Sequence, residues 1–152
     1  MILDELLEFA DAVSVIAAPG TAVMGDVIPL SVARDVGGTG PAQDQLFAVF
    51  TVDTEVDSAA EGATVNFQVV TADDSAITVG VVIIASTGVK TEAQLVAGAK
   101  FMVALPPTRG YSLFLAVRRV IAGEAVTAGK INAFLTRDQG TQAPYASPSQ
   151  YV

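Results

Sequence analysis

The sequence predicts an all-β protein: an eight-stranded jelly-roll-like β-sandwich over residues 1–138, followed by an extended C-terminal tail over residues 139–152. Three observations carry that expectation. Apolar and polar residues alternate with the period of two that a half-buried strand requires. Clusters of glycine, proline, aspartate and serine break the chain at short intervals, as turns demand. Beyond the first dozen residues no helical period is sustained. At 152 residues the chain is long enough for one domain with a substantial core.

Taken in order, only the start fits a helix: Leu3, Leu6, Leu7, Ala10 and Val13 follow the i, i+3, i+4, i+7 spacing of an amphipathic stripe. Strands are expected over residues 13–18, 23–30, 45–52, 63–71, 77–85, 99–105, 111–120 and 130–137. In 63–71, Ala63, Val65, Phe67 and Val69 share one face while Thr64, Asn66, Gln68 and Val70 share the other. Near the end, Ile131, Ala133 and Leu135 alternate with Lys130, Asn132, Phe134 and Thr136. The segments 45–52 and 77–85 are almost continuously apolar, which is the pattern of strands covered on both faces. Eight short strands at this spacing suit a two-sheet jelly roll. The final residues, GTQAPYASPSQYV, are polar, proline-bearing and tipped with tyrosine, so they read as an extended segment.

Composition narrows the chemistry. The chain has no cysteine and no histidine, which removes disulfides, thiolate metal sites, the commonest general base and the Ser/His or Cys/His nucleophilic pairs. Charged residues make up only 16%, against about 25% in an average domain. So few charges leave apolar strand faces at the surface, where a partner is the natural cover. The formal net charge of −8 opposes general nucleic-acid binding, which needs cations to neutralise phosphates. Charge is also uneven: thirteen of the sixteen acids lie in residues 1–74, and seven of the eight bases in residues 75–152. That split would orient docking if it separated into an acidic and a basic face. No apolar run approaches the ~18 residues of a membrane span, and MILDELLEF carries acids where a signal peptide carries cations.

Each candidate site is weaker than its plain alternative. Residues 53–62 place carboxylates at Asp53, Glu55 and Asp57, but Ser58 and Thr64 occupy the positions where a calcium loop needs glycine and a bidentate acid. A solvated acidic turn explains that segment, and Asp73-Asp74 reads as hairpin chemistry. Gly37-Gly38-Thr39-Gly40 is followed by proline rather than a helix, so it is no phosphate loop. Arg118 and Arg119 are adjacent on an expected strand and must point to opposite faces. No catalytic residue, cofactor site or metal site emerges, and the expected function is binding rather than catalysis.

The succession LVAGAKFMVALPPTRGYSLFLAVRRVIAGEAVTAGKINAFLTRDQ, with PYASPSQYV at the end and MILDELLEFADA at the start, resembles the jelly-roll capsid cement (decoration) proteins of tailed bacteriophages. The matching features are Leu95-Val96-Ala97-Gly98, Leu105-Pro106-Pro107 leading to Tyr111, Gly129 opening the last strand, and the Tyr/Pro/Ser-rich terminus. The resemblance implies a structural virion protein, made in the bacterial cytoplasm, that sits on the capsid exterior and cements neighbouring major capsid subunits. It implies a homo-oligomer, dimer or trimer, with the phage major capsid protein as partner, and neither nucleic acid nor membrane. Candidate interface residues are Arg118 and Arg119 on the strand and Tyr145, Pro148 and Tyr151 in the tail. The alternative from another class is a carbohydrate-binding or receptor-binding β-sandwich module of a phage tail fibre. The absence of tryptophan counts against that alternative.

Overall fold

Alternating apolar residues give each strand one face that must leave water, and two such sheets solve the problem by closing on each other. The computed structural model describes residues 7–30, 46–60, 62–106 and 110–137. Within them the strands are β1 (Glu8–Ser14), β2 (Gly20–Pro29), β3 (Phe47–Ser58), β4 (Thr64–Ala72), β5 (Val82–Ser86), β6 (Lys90–Thr91), β7 (Lys100–Ala104), β8 (Phe114–Ala122) and β9 (Val126–Thr136). A short 3₁₀ turn, Glu92–Gln94, follows β6. One antiparallel sheet has the order β1-β9-β3-β7 and the other β2-β8-β4-β5, with β6 extending the second beside β4. Consecutive strands thus mostly alternate between sheets, as in the double Greek key of a jelly roll.

The core is filled from both inner faces. Ala48, Phe50 and Val52 on β3, and Ile131, Ala133 and Leu135 on β9, meet Val65, Phe67 and Val69 on β4 and Leu115, Val117 and Ile121 on β8. Phe50 and Phe67 stack across the interface with centroids 5.5 Å apart and planes 17° from parallel. Each large side chain so buried contributes about 1.5–3 kcal/mol. Past its pairing with β7, the flank of β3 is sealed by the segment after the 3₁₀ turn: Val52 N–H donates to Ala99 O at 2.9 Å, and Val56 N–H to Leu95 O at 3.1 Å. Leu95 itself is fully buried. At the opposite end of β7, the Tyr111 hydroxyl donates to Pro106 O at 3.0 Å.

β1 and β2, from different sheets, come into close contact at Gly25. Gly25 has φ +62°, and a Cβ there would overlap the carbonyl oxygen of Phe9. Only glycine accepts both the left-handed backbone and the contact.

Several expectations are corrected. The helical stripe fails: Ala10 and Val13 lie in strand β1, where Phe9 enters the core and Glu8 pairs with Phe134, while Leu3 and Leu6 fall outside the described residues. The acidic segment is no turn over most of its length, because β3 continues to Ser58 and keeps pairing with β9. Residues 77–81 belong to a turn, and the strand begins only at Val82, with Val82, Ile83 and Ser86 exposed on it. Residues 111–113 precede β8, which runs on to Ala122. In both sheets, strands from the first half of the chain alternate with strands from the second half. The expected tail, 139–152, lies outside the described residues.

Replacing Gly25 with alanine should destabilise the sandwich by roughly 1–3 kcal/mol from backbone strain alone. Chemical denaturation checks this; an unchanged midpoint would mean that the β1–β2 seam is looser than its geometry.

Candidate interaction surface

The outward face of the β2-β8-β4-β5 sheet is built from the residues that alternation leaves out of the core. On β8 these are Phe114, Ala116 and Arg118; on β4 they are Gln68, Val70 and Ala72. Register aligns them in rows: Val23, Arg118, Gln68 and Ser86 cross the sheet at one level, and Ala116, Val70 and Ile83 at another. Val70, Ala72 and Ala116 are fully buried even though they face away from the main core, since Ile77 folds down on them with Val27, Val81 and Phe114 around it. Val23 and Ile83 remain exposed at the margins.

The segment between β4 and β5 holds Ile77 in place, and Asp74 organises it. One Asp74 oxygen accepts from the N–H groups of Thr78 and Val79, both at 2.8 Å, and the other accepts from the Thr78 hydroxyl at 2.7 Å. Gly80, at φ +63°, packs so tightly on the Asp73 carboxylate that a Cβ would overlap it. Ile77 itself has φ +55°. A β-branched residue there is strained by about 1–3 kcal/mol, which the contacts under its side chain offset. The Val79 and Thr78 donors hold the Asp74 carboxyl below the usual carboxylate range.

The paired arginines separate as strand geometry requires. Arg118 lies on the outward face and its Nε donates to Gln68 Oε1 at 2.8 Å, using one of five donors. Arg119 occupies a core-facing position beside Phe67 and donates from Nη1 to the Ser14 carbonyl at 3.1 Å, so it ties β8 to the end of β1. Burial of its stem and head lowers its pKa. Of the two, Arg118 stays on the apolar face and Arg119 is engaged within the fold. Tyr145, Pro148 and Tyr151 lie outside the described residues.

At the far end of the sandwich an open cleft of about 370 Å³ is lined by Glu55, Asp57 and Glu92 together with Val56, Thr64 and Thr91. Glu92 is committed structurally: the Ser58 hydroxyl and the Ala63 N–H both donate to its Oε1. The Ser58 hydroxyl is the main reason its carboxyl sits below the ordinary range; burial opposes that shift and the Ala63 N–H assists it. Asp57 accepts from the N–H of Ser58 at 2.8 Å. Among the described residues no group of three or more acids could hold a metal ion.

The sheet order defines an all-β sandwich of two antiparallel sheets. The family model for Bbp16 matches residues 9–135. The chain belongs to the Bbp16 family, a phage-associated family, and its all-β sandwich suits a phage structural protein. No curated protein matches the chain. Among the described residues no helix is long and apolar enough to cross a membrane.

Neither the Ile77 cap nor the partners of Arg118 and Arg119 were visible in the sequence. Asp73-Asp74 followed by Gly80 was the available signal for the turn.

Both Asp74 and Glu92 have folded-state pKa values below their unfolded ones. Their stabilisation is therefore complete above the ordinary carboxylate range and is lost as pH falls through the depressed values, below about pH 4. The double variant Asp74→Asn, Glu92→Gln should show a flatter fall of melting temperature between pH 5 and 2.5 (roughly that window) than the parent. Identical acid limbs would remove these carboxylates from the pH response.

Proposed function

We propose that this protein binds the outside of the phage head and cements neighbouring major capsid subunits, stabilising the shell by binding rather than by catalysis. The observation that carries this reading is the outward face of the β2-β8-β4-β5 sheet. Val23 and Ile83 stay exposed on it, the Asp74 turn fixes Ile77 over its buried floor, and the Arg118 guanidinium lies in the same row as Val23. A preorganised apolar patch with a central arginine is the composition of a protein–protein contact, because little side-chain entropy is lost on docking and arginine pairs readily with carboxylates. Membership of a phage-associated family makes a virion surface the fitting partner. The protein acts as a homo-oligomer, dimer or trimer, which multiplies weak contacts along a repetitive lattice. It uses neither cofactor nor nucleic acid.

Matured capsids stripped of this protein supply the test. Val23→Asp and Arg118→Glu, singly placed on the outward face, should each weaken rebinding by about 30-fold or more while leaving circular dichroism and melting near those of the parent. Lys130→Glu, on the opposite sheet, serves as the control and should bind normally. Undiminished binding by both patch variants would reject this face as the capsid contact.

A further inference from the structure

The most exposed apolar side chains of the sandwich gather along one edge. β5 ends the strand order of its sheet, and β6 continues along β4 where β5 stops, so residues 82–91 run the length of β4. Along this edge and the turn before it, Val79 is 58% exposed, Val82 46% and Val89 66%. Val79 and Val89 exceed every other large apolar residue among those described. Ile83 beside them belongs to the outward face. Residues 75–89 carry no charged side chain, although the chain as a whole carries −8. The other edge strands are blunted by charge, proline or irregular register. β1 carries Glu8 and Asp11 with two register shifts, β2 carries Asp26 and Pro29 with one shift, and β7 begins with Lys100. β5 has one shift, opposite Val69 and Val70, and neither charge nor proline.

We propose that this edge is the contact between two copies of the chain, docked antiparallel about a twofold axis through β5. The proposal rests on the homo-oligomer reading above but not on the capsid contact. Charge selects the occupant. Two bodies of net charge −8 repel, so a second copy meets the first at least cost where charge is absent. Charge also selects the direction. The uncharged run is bounded by Asp73 and Asp74 at one end and by Lys90 at the other. The Asp73 N–H donates to Val79 O at 3.0 Å, which keeps the acids at the turn before β5, while Lys90 pairs with Val65 near the start of β4. An antiparallel pair sets Lys90 of each copy toward the acids of the other, whereas a parallel pair sets like against like. Lys90 Nζ lies 5.1 Å from the centre of the Phe101 ring, so its position is restrained before docking. An edge of about ten residues is ~33 Å long, a contact at the small end of protein–protein interfaces. The association is therefore weak alone and favoured where copies are crowded.

Sedimentation equilibrium of the full chain, from about 10 μM to about 1 mM, covers the range of such weak contacts. The parent should pass from monomer to dimer. Val82→Lys and Val82→Glu each place like charges across the axis, and each alone should weaken dimerisation at least about tenfold while circular dichroism and melting stay near those of the parent. Mixing the two variants in equal amounts should restore dimers, because opposite charges then face one another. Val89→Asp should weaken dimerisation in the same way and replaces the Val82 variants should they fail to fold. Val23→Asp, on the outward face, should dimerise like the parent, so failure of the capsid contact and failure of this one are told apart. A parent still monomeric at about 1 mM, a trimer, a dimer indifferent to these edge substitutions, or a mixture that does not recover would overturn the proposal.

Discussion

The stack of Phe50 on Phe67 is the contact on which the rest of the architecture depends. The two rings come from successive long strands, β3 and β4, which lie in different sheets. Once they meet, the period of two assigns every other residue on those strands to a face, and hydrogen-bonded register passes that assignment to β8 and β9. A slip of one residue would bring Gln68 and Arg118 inward and expose Phe67 and Val117. The core therefore specifies the outer surfaces as firmly as it specifies itself.

Those outer surfaces differ. Over the β2-β8-β4-β5 sheet, a turn folded around Asp74 lays Ile77 on Val70, Ala72 and Ala116, leaving a firm apolar floor with Arg118 beside it. Over the other sheet, Val49 and Phe134 are buried rather than left as a platform. In both sheets, strands from the first half of the chain alternate with strands from the second half.

How much of this was legible depends on whether a feature is local. The strands β4 and β9 were readable because their apolar residues alternate without interruption, and 45–52 read correctly as covered on both faces because Val49 and Phe50 are both apolar. β1 was misread as part of a helix: Leu7, Ala10 and Val13 satisfy a 3.6-residue spacing, and the competing fact, the contact of Phe9 with Gly25, joins segments far apart in the chain. The acidic residues 53–58 looked like a turn because nothing local announces that Leu95 and Ala99 supply their backbone partners. For the surface, the opposite orientation of Arg118 and Arg119 followed from pleating alone. Their partners, Gln68 and the Ser14 carbonyl, required the strand order, which no short-range pattern encodes.

On the proposed reading, this protein acts by repetition, with one face used many times on a regular lattice. The most direct measurement is the copy number of this protein relative to the major capsid protein in purified virions. The account predicts a stoichiometry comparable with that of the capsid subunit, with the protein on the exterior of the head. A handful of copies per particle, or none, would contradict it.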